Sequence, residues 1–122
     1  MKRILVAEDD PYNRDLVTTI LNFYGFATVP ATNGRHAVKM AQESLPDLIM
    51  MDLSMPIKNG LDATREIKET SELAHIPIVA VSAYDTREDK KHAFDAGCID
   101  FLPKPLELFK LKDRLDTILA AH

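Results

Sequence analysis

Short apolar runs alternate along the whole chain with longer stretches of helical periodicity. Ile4-Leu5-Val6-Ala7 has strand length and ends at three acids, Glu8-Asp9-Asp10. Asp10-Pro11 has the chemistry of a helix start: the carboxylate accepts an otherwise unpaired amide, and proline lacks the N–H that would go unpaired. Leu16, Val17, Ile20, Leu21 and Tyr24 follow at helical spacing, and Gly25 suits the position just past a helix end. Ala27–Pro30 is a weak second strand, and Asn33-Gly34 has turn chemistry. Ala37, Val38 and Ala41 mark a second helix that ends near Leu45-Pro46.

Leu48-Ile49-Met50-Met51 is apolar without alternation, as expected of a strand covered on both faces, and its polar end is Asp52. A loop with Pro56 and Asn59-Gly60 leads into a helix over 61–70, with Leu61, Ala63, Thr64 and Ile67 facing inward. The run Ile76 to Val81 predicts a fourth strand ending at Ser82, and a fourth helix follows from Thr86 to Ala96, stopping at Gly97. Asp100–Leu102 is a short fifth strand that meets Pro103-Lys104-Pro105. Leu108, Leu111, Leu115, Ile118 and Leu119 then outline a last amphipathic helix.

Five strand–helix units joined by right-handed crossovers predict an α/β fold: a doubly wound five-stranded parallel sheet with helices on both faces. Ligands of such sheets bind beyond the carboxyl ends of the strands. The residues there are Glu8-Asp9-Asp10, Asp52, Ser82 and Lys104.

Composition narrows the class of function. A length of 122 residues fits one domain over 1–122, and 46% hydrophobic with 28% charged residues excludes disorder. Fifteen basic against nineteen acidic residues leave a net charge of −4, which offers no footprint for a phosphate backbone and argues against nucleic-acid binding. The first apolar run is too short for a secretory signal, and no stretch has the length and apolarity of a membrane span. A lone cysteine, Cys98, cannot form an internal disulfide and fits a reducing, cytoplasmic setting.

Several acids converging on one crevice repel each other unless a cation joins them. Hard oxygen donors without His or Cys suit Mg²⁺, or Mn²⁺, rather than zinc. A lysine ammonium and a serine hydroxyl beside them are what a transferred phosphoryl group requires for electrostatic stabilisation. A carboxylate can itself be the nucleophile, and Asp52, the acid at the end of the central strand, is the candidate.

At this point the chain resembles a family, the response-regulator receiver domain of two-component signalling. The resemblance rests on I-L-V-A-E-D-D-P-Y-N-R at 4–14, D-L-S-M-P-I-K-N-G at 52–60, V-A-V-S-A at 79–83 and K-P at 104–105, and it covers essentially the whole chain. Each piece is weak alone; in order, each at a strand end, they are specific. The resemblance implies the flavodoxin-like (CheY-like) strand order 2-1-3-4-5 and a phosphoryl group carried on Asp52. It makes Asp9 a direct Mg²⁺ ligand with Asp52, Glu8 a ligand through a bound water, and the Ser54 carbonyl a further ligand. Ser82 resembles the switch hydroxyl, Lys104 the lysine that pairs with the phosphoryl group, and Phe101 the rotating switch aromatic. A cis Lys104–Pro105 bond is implied as well. The implied partners are a sensor histidine kinase or histidine phosphotransfer protein and a downstream protein bound on the face of helix four, strand five and helix five.

The chain departs from the commonest pattern at two points, and Ser54 and Tyr84 fall where the family varies its dephosphorylation rate. Phe101 has no hydroxyl, so any switch works through packing. Asn59 stands where aspartate is more frequent, and both suit a turn. Tyr84 sits beside the phosphorylation site, bulky enough to screen an acyl phosphate from water.

Plainer readings apply elsewhere. Asp10 is an N-cap rather than a ligand, Met50 and Met51 are core, and Cys98 is a small buried residue. His36, His75, His92 and His122 lack ligand spacing and belong at the surface, and Arg87–Lys91 with His92 forms a solvated helix face. Competing functions are weaker. A phosphohydrolase of the haloacid-dehalogenase type needs an aspartate at position 54, which is serine, and room for a cap domain. A flavodoxin-like flavin carrier needs a phosphate-binding loop after strand one, where three acids stand. A degenerate receiver that binds partners without phosphorylation would not keep Asp9, Asp52, Ser82 and Lys104. A phosphorelay intermediate, or a receiver from a longer response regulator or hybrid kinase, is the remaining alternative. With the last helix ending at the C-terminus, output is expected through a separate partner.

Overall fold

The computed structural model describes residues 1–122. Five parallel strands, β1 (Arg3–Ala7), β2 (Ala27–Ala31), β3 (Leu48–Asp52), β4 (Ile78–Ser82) and β5 (Asp100–Pro103), form one sheet in the order β2-β1-β3-β4-β5. Helices α1 (Pro11–Phe23), α2 (Gly34–Ser44), α3 (Gly60–Glu69), α4 (Arg87–Ala96) and α5 (Leu108–Ala121) make the crossovers and the closing helix. This is the flavodoxin-like architecture and strand order that the resemblance implied.

Strand side chains alternate between faces, and the core divides accordingly. Leu5, Ala7, Ile49, Met51, Ile78 and Ala80 pack with α2, α3 and α4. Their neighbours in the chain, Ile4, Val6, Leu48, Met50, Val79 and Val81, pack with α1 and α5. Both faces are covered, which is why β3 and β4 are buried at every position.

Helix starts follow the expected capping chemistry. The Asp10 side chain accepts the amide of Tyr12, and Pro11 opens α1. Asn33 and Asn59 cap α2 and α3 in the same way, and Thr86 with Asp89 forms a capping box on α4. Pro30 is tolerated in β2 because that strand is the sheet edge.

Three expectations need correction. β4 begins at Ile78, not Ile76: Ile76 is buried, but its amide bonds Leu73 in the preceding turn, so its apolarity serves the core and not the ladder. Leu16 shares the α1 periodicity yet is 40% exposed, since it lines the mouth of a cavity. His36 is half-buried rather than on the surface, and its Nδ1 accepts the Thr32 amide at 3.1 Å. No helix is long and apolar enough to cross a membrane.

Candidate functional site

The carboxyl ends of β1, β3, β4 and β5 bring Glu8, Asp9, Asp52, Ser82 and Lys104 to one edge of the sheet. Glu8 continues β1, and its amide bonds the Ala31 carbonyl at the end of β2. Asp9 is exposed, whereas the Glu8 and Asp52 side chains are only 8% and 5% exposed. One carboxylate oxygen from each of Glu8, Asp9 and Asp52 lies within 4.8 Å of the others.

Lys104 joins two of these acids. Its Nζ donates to Glu8 Oε1 at 2.9 Å and to Asp52 Oδ2 at 3.0 Å. The other Asp52 oxygen, Oδ1, accepts the Ser54 amide at 3.0 Å, so both acceptor atoms of this carboxylate are oriented. The Lys104 amide bonds the Ser82 carbonyl at 2.8 Å, and the Lys104–Pro105 bond is cis. Ser82 is buried, and its Oγ accepts the Tyr84 amide at 3.0 Å while retaining its own proton for donation.

The loop after Asp52 is tightly closed. The Gly60 amide bonds the Leu53 carbonyl, and a Cβ at position 60 would lie 2.2 Å from the Asp52 carbonyl oxygen. Only glycine permits that approach.

The electrostatics describe a site short of positive charge. Burial raises the Glu8 carboxyl above its ordinary value, and the nearby Asp52 carboxylate adds to the effect against the opposing pull of Lys104. Burial works against the charge of Lys104, yet the hydrogen bonds and charges of Glu8 and Asp52 outweigh it and raise the ammonium above its ordinary value. Three carboxylates gather here, and the one ammonium beside them pairs with two, Glu8 and Asp52. All the donors in reach are hard oxygens, so the set fits a hard dication of the Mg²⁺ or Mn²⁺ kind.

Two predicted residues sit apart from this cluster. Phe101 is buried in the core on the α4 side of the sheet, and Lys90 Nζ stands 5.9 Å from its ring centroid. The Tyr84 ring is exposed while its amide is tied to Ser82. Asp10 is a cap, as its proline neighbour indicates.

Two features have no plain signal in the sequence. Arg14 Nη1 donates to the Glu8 carbonyl at 2.9 Å and pins the acidic turn from below. Its place one turn into α1, four residues after the cap, is the only hint. A cavity of about 240 Å³ opens beside Asp52 and Lys104 and runs between α1 and the β5–α5 loop, past Leu16, Val17, Leu106 and Leu108.

Comparison with known proteins agrees with this geometry. The family model for the response regulator receiver domain matches residues 4–116. The polar-differentiation response regulator DivK of Brucella anthropi is 31% identical over 118 residues, covering 97% of this chain and 96% of that protein. The chemotaxis protein CheY4 of Vibrio cholerae has a TM-score of 0.92 at 25% identity, covering 97% of this chain and 98% of the other. The receiver domain of the sensor histidine kinase PA1611 from Pseudomonas aeruginosa, which holds a magnesium ion in its active-site cleft, has a TM-score of 0.91 at 30% identity and covers 98% of each chain. A family match over nearly the whole length, on a sheet of the same order, settles the class: this chain belongs to the response regulator receiver domain family.

Proposed function

We propose that residues 1–122 form one receiver domain that accepts a phosphoryl group on Asp52 from a phosphohistidine and changes its binding to a protein partner. The observation that carries this reading is the buried Asp52 carboxylate, held by Lys104 on one oxygen and by the Ser54 amide on the other.

In the transfer, an Asp52 oxygen forms a bond to phosphorus as the nitrogen–phosphorus bond of the donor breaks, and the released imidazole takes up a proton. Burial keeps Asp52 poorly hydrated, which favours attack and shields the acyl phosphate from water. Lys104 and the Ser82 hydroxyl then donate to the phosphoryl oxygens. Asp9, Asp52 and the Ser54 carbonyl would hold Mg²⁺ or Mn²⁺ directly, with Glu8 acting through water. When bound, such an ion neutralises the carboxylates and lets an anionic donor approach.

The partners in this reading are a sensor histidine kinase or histidine phosphotransfer protein upstream and a protein downstream, in the cytoplasm, where a lone thiol such as Cys98 stays reduced. Ser82 and Lys104, drawn to the phosphoryl group, would reshape the face of α4, β5 and α5 around Phe101. Incubation with acetyl phosphate and Mg²⁺, followed by intact mass, tests the assignment. The wild type gains one phosphoryl group and Asp52→Asn gains none. Full labelling of that variant at a single other site overturns the reading.

A further inference from the structure

The loop after Asp52 is held at both ends by glycine amides. At its far end the Gly60 amide bonds the Leu53 carbonyl at 3.2 Å. The second hold comes from a different element: the amide of Gly34, at the start of α2, bonds the Lys58 carbonyl at 2.9 Å. Gly34 is buried, and a Cβ there would lie 2.0 Å from that carbonyl oxygen and 3.0 Å from the Asn59 carbonyl oxygen. Only a residue without a side chain lets α2 reach the loop so closely.

Between Lys58 and Asp52 the backbone makes a strained turn. Ile57 has φ of 71°, which β-branched residues rarely adopt, and the Lys58 amide closes the turn on the Pro56 carbonyl at 2.8 Å. The Ile57 side chain is 72% exposed, so no burial of its own offsets the strain. Such a conformation persists only where its surroundings impose it. Three contacts do so here: the Gly34 amide on the Lys58 carbonyl, the Lys58 ammonium paired with Glu66 of α3, and Met55 buried in the core. Just before Met55, the Ser54 amide holds Asp52 Oδ1 at 3.0 Å. A chain of backbone contacts therefore runs from α2 through the turn to the Asp52 carboxylate.

We propose that Gly34 is a positioning residue for the Asp52 site: its amide fixes the strained turn at Ile57, and the turn fixes the Ser54 backbone against the acid cluster. The proposal rests on the reading of Asp9, Asp52 and the Ser54 carbonyl, with Glu8 through water, as a site for Mg²⁺. Coupling between two such places is reciprocal. If the Gly34 bond prepares the loop for the cation, the bound cation must in turn tighten the Gly34 bond.

Amide hydrogen exchange on the whole chain reads this without a substitution. In the wild type, saturating Mg²⁺ slows exchange at Gly34 by about five-fold more than at Leu45, whose amide bonds Ala41 at the opposite end of α2. In Ile57→Gly the turn no longer transmits force between Lys58 and Ser54, and Mg²⁺ leaves the Gly34 rate where it was. Gly34→Ala weakens Mg²⁺ binding in calorimetry and displaces the Ser54 amide resonance, and the same substitution does neither in the Ile57→Gly background. Exchange at Gly34 that ignores bound Mg²⁺, or that responds equally in wild type and Ile57→Gly, overturns the proposal whether or not Gly34→Ala folds. If the amides of Asp9 and Asp52 show no response to Mg²⁺ at all, the metal reading falls, and the positioning role falls with it.

Discussion

Lys104 Nζ lies 3.0 Å from Asp52 Oδ2, although 52 residues separate them and β4 stands between their strands. The same ammonium lies 2.9 Å from Glu8, so one cation answers two acids and the exposed Asp9 is left outside the pairing. This sharing makes Lys104 a competitor for any dication that the carboxylates attract. Replacing it with Met is expected to tighten Mg²⁺ binding by about three- to ten-fold, as removal of a nearby like charge would. Labelling of Asp52 should slow in the same variant, because a donor to the phosphoryl oxygens is lost. Calorimetric titration checks the first expectation; weaker Mg²⁺ binding in Lys104→Met would contradict it.

The neighbouring acids Asp9 and Asp10 are expected to behave differently. Asp9→Asn removes one of the three clustered carboxylates and should weaken Mg²⁺ binding markedly. Asp10→Ala removes the acceptor for the Tyr12 amide and should cost about 1 kcal/mol of stability with little change in metal affinity. Titration and denaturant melts of both variants separate these roles. Equal Mg²⁺ affinity in wild type and Asp9→Asn would remove Asp9 from the ligand set.

Acceptance and transmission of the phosphoryl group should be separable. Ser82→Ala and Lys104→Arg are expected to take phosphate on Asp52 but to transmit it poorly to α4, β5 and α5. Amide chemical shifts in those elements, recorded before and after acetyl phosphate, provide the measure. Shifts as large as in the wild type would show that neither donor couples the site to that face.

The Asp52 loop has no room at position 60. In Gly60→Ala the new Cβ would meet the Asp52 carbonyl oxygen at 2.2 Å, a backbone atom that cannot rotate away. A loss of about 1–3 kcal/mol is expected from forcing the loop apart. Labelling should fall with it, since the moved backbone carries Asp52, the proposed acceptor. Urea unfolding measures the first effect and intact mass the second.

Cys98 offers a test of the core by pH. Burial pushes its thiol from an ordinary value of 9.0 up to about 11. Because the folded pKa is the higher one, the stability linked to this thiol is fully present below pH 9.0 and is lost as pH rises through about 11. At pH 8 the thiolate fraction is therefore far lower than in the unfolded chain, and alkylation of the folded protein should be many-fold slower. Equal alkylation rates in buffer and in urea would place Cys98 outside the core.

Much of this protein was readable from nearest neighbours in the chain. Asp10-Pro11 marks the start of α1 because a cap and a first-turn proline act within a few residues. The unbroken apolar run at 48–51 marks a strand covered on both sides because nothing in it faces water. Misreadings came where local pattern is ambiguous. Ile76 extends an apolar run without joining the ladder, and Leu16 keeps helical spacing while lining an open cavity, because periodicity reports a face and not what covers that face. Cys98, Met50 and Met51 are buried, as their surroundings in the chain indicated.

The sequence by itself determined the elements, their caps and the set of polar residues at the strand ends, since each depends on interactions within about one helical turn or one strand. Tertiary structure alone decided which of those residues touch. Placing β1 beside β3 and β5 beyond β4 sets Lys104 against Glu8 and Asp52, Arg14 beneath the acidic turn, and Lys90 over Phe101. The crossovers fix these meetings, and no local pattern of residues encodes the distance between side chains carried on different elements.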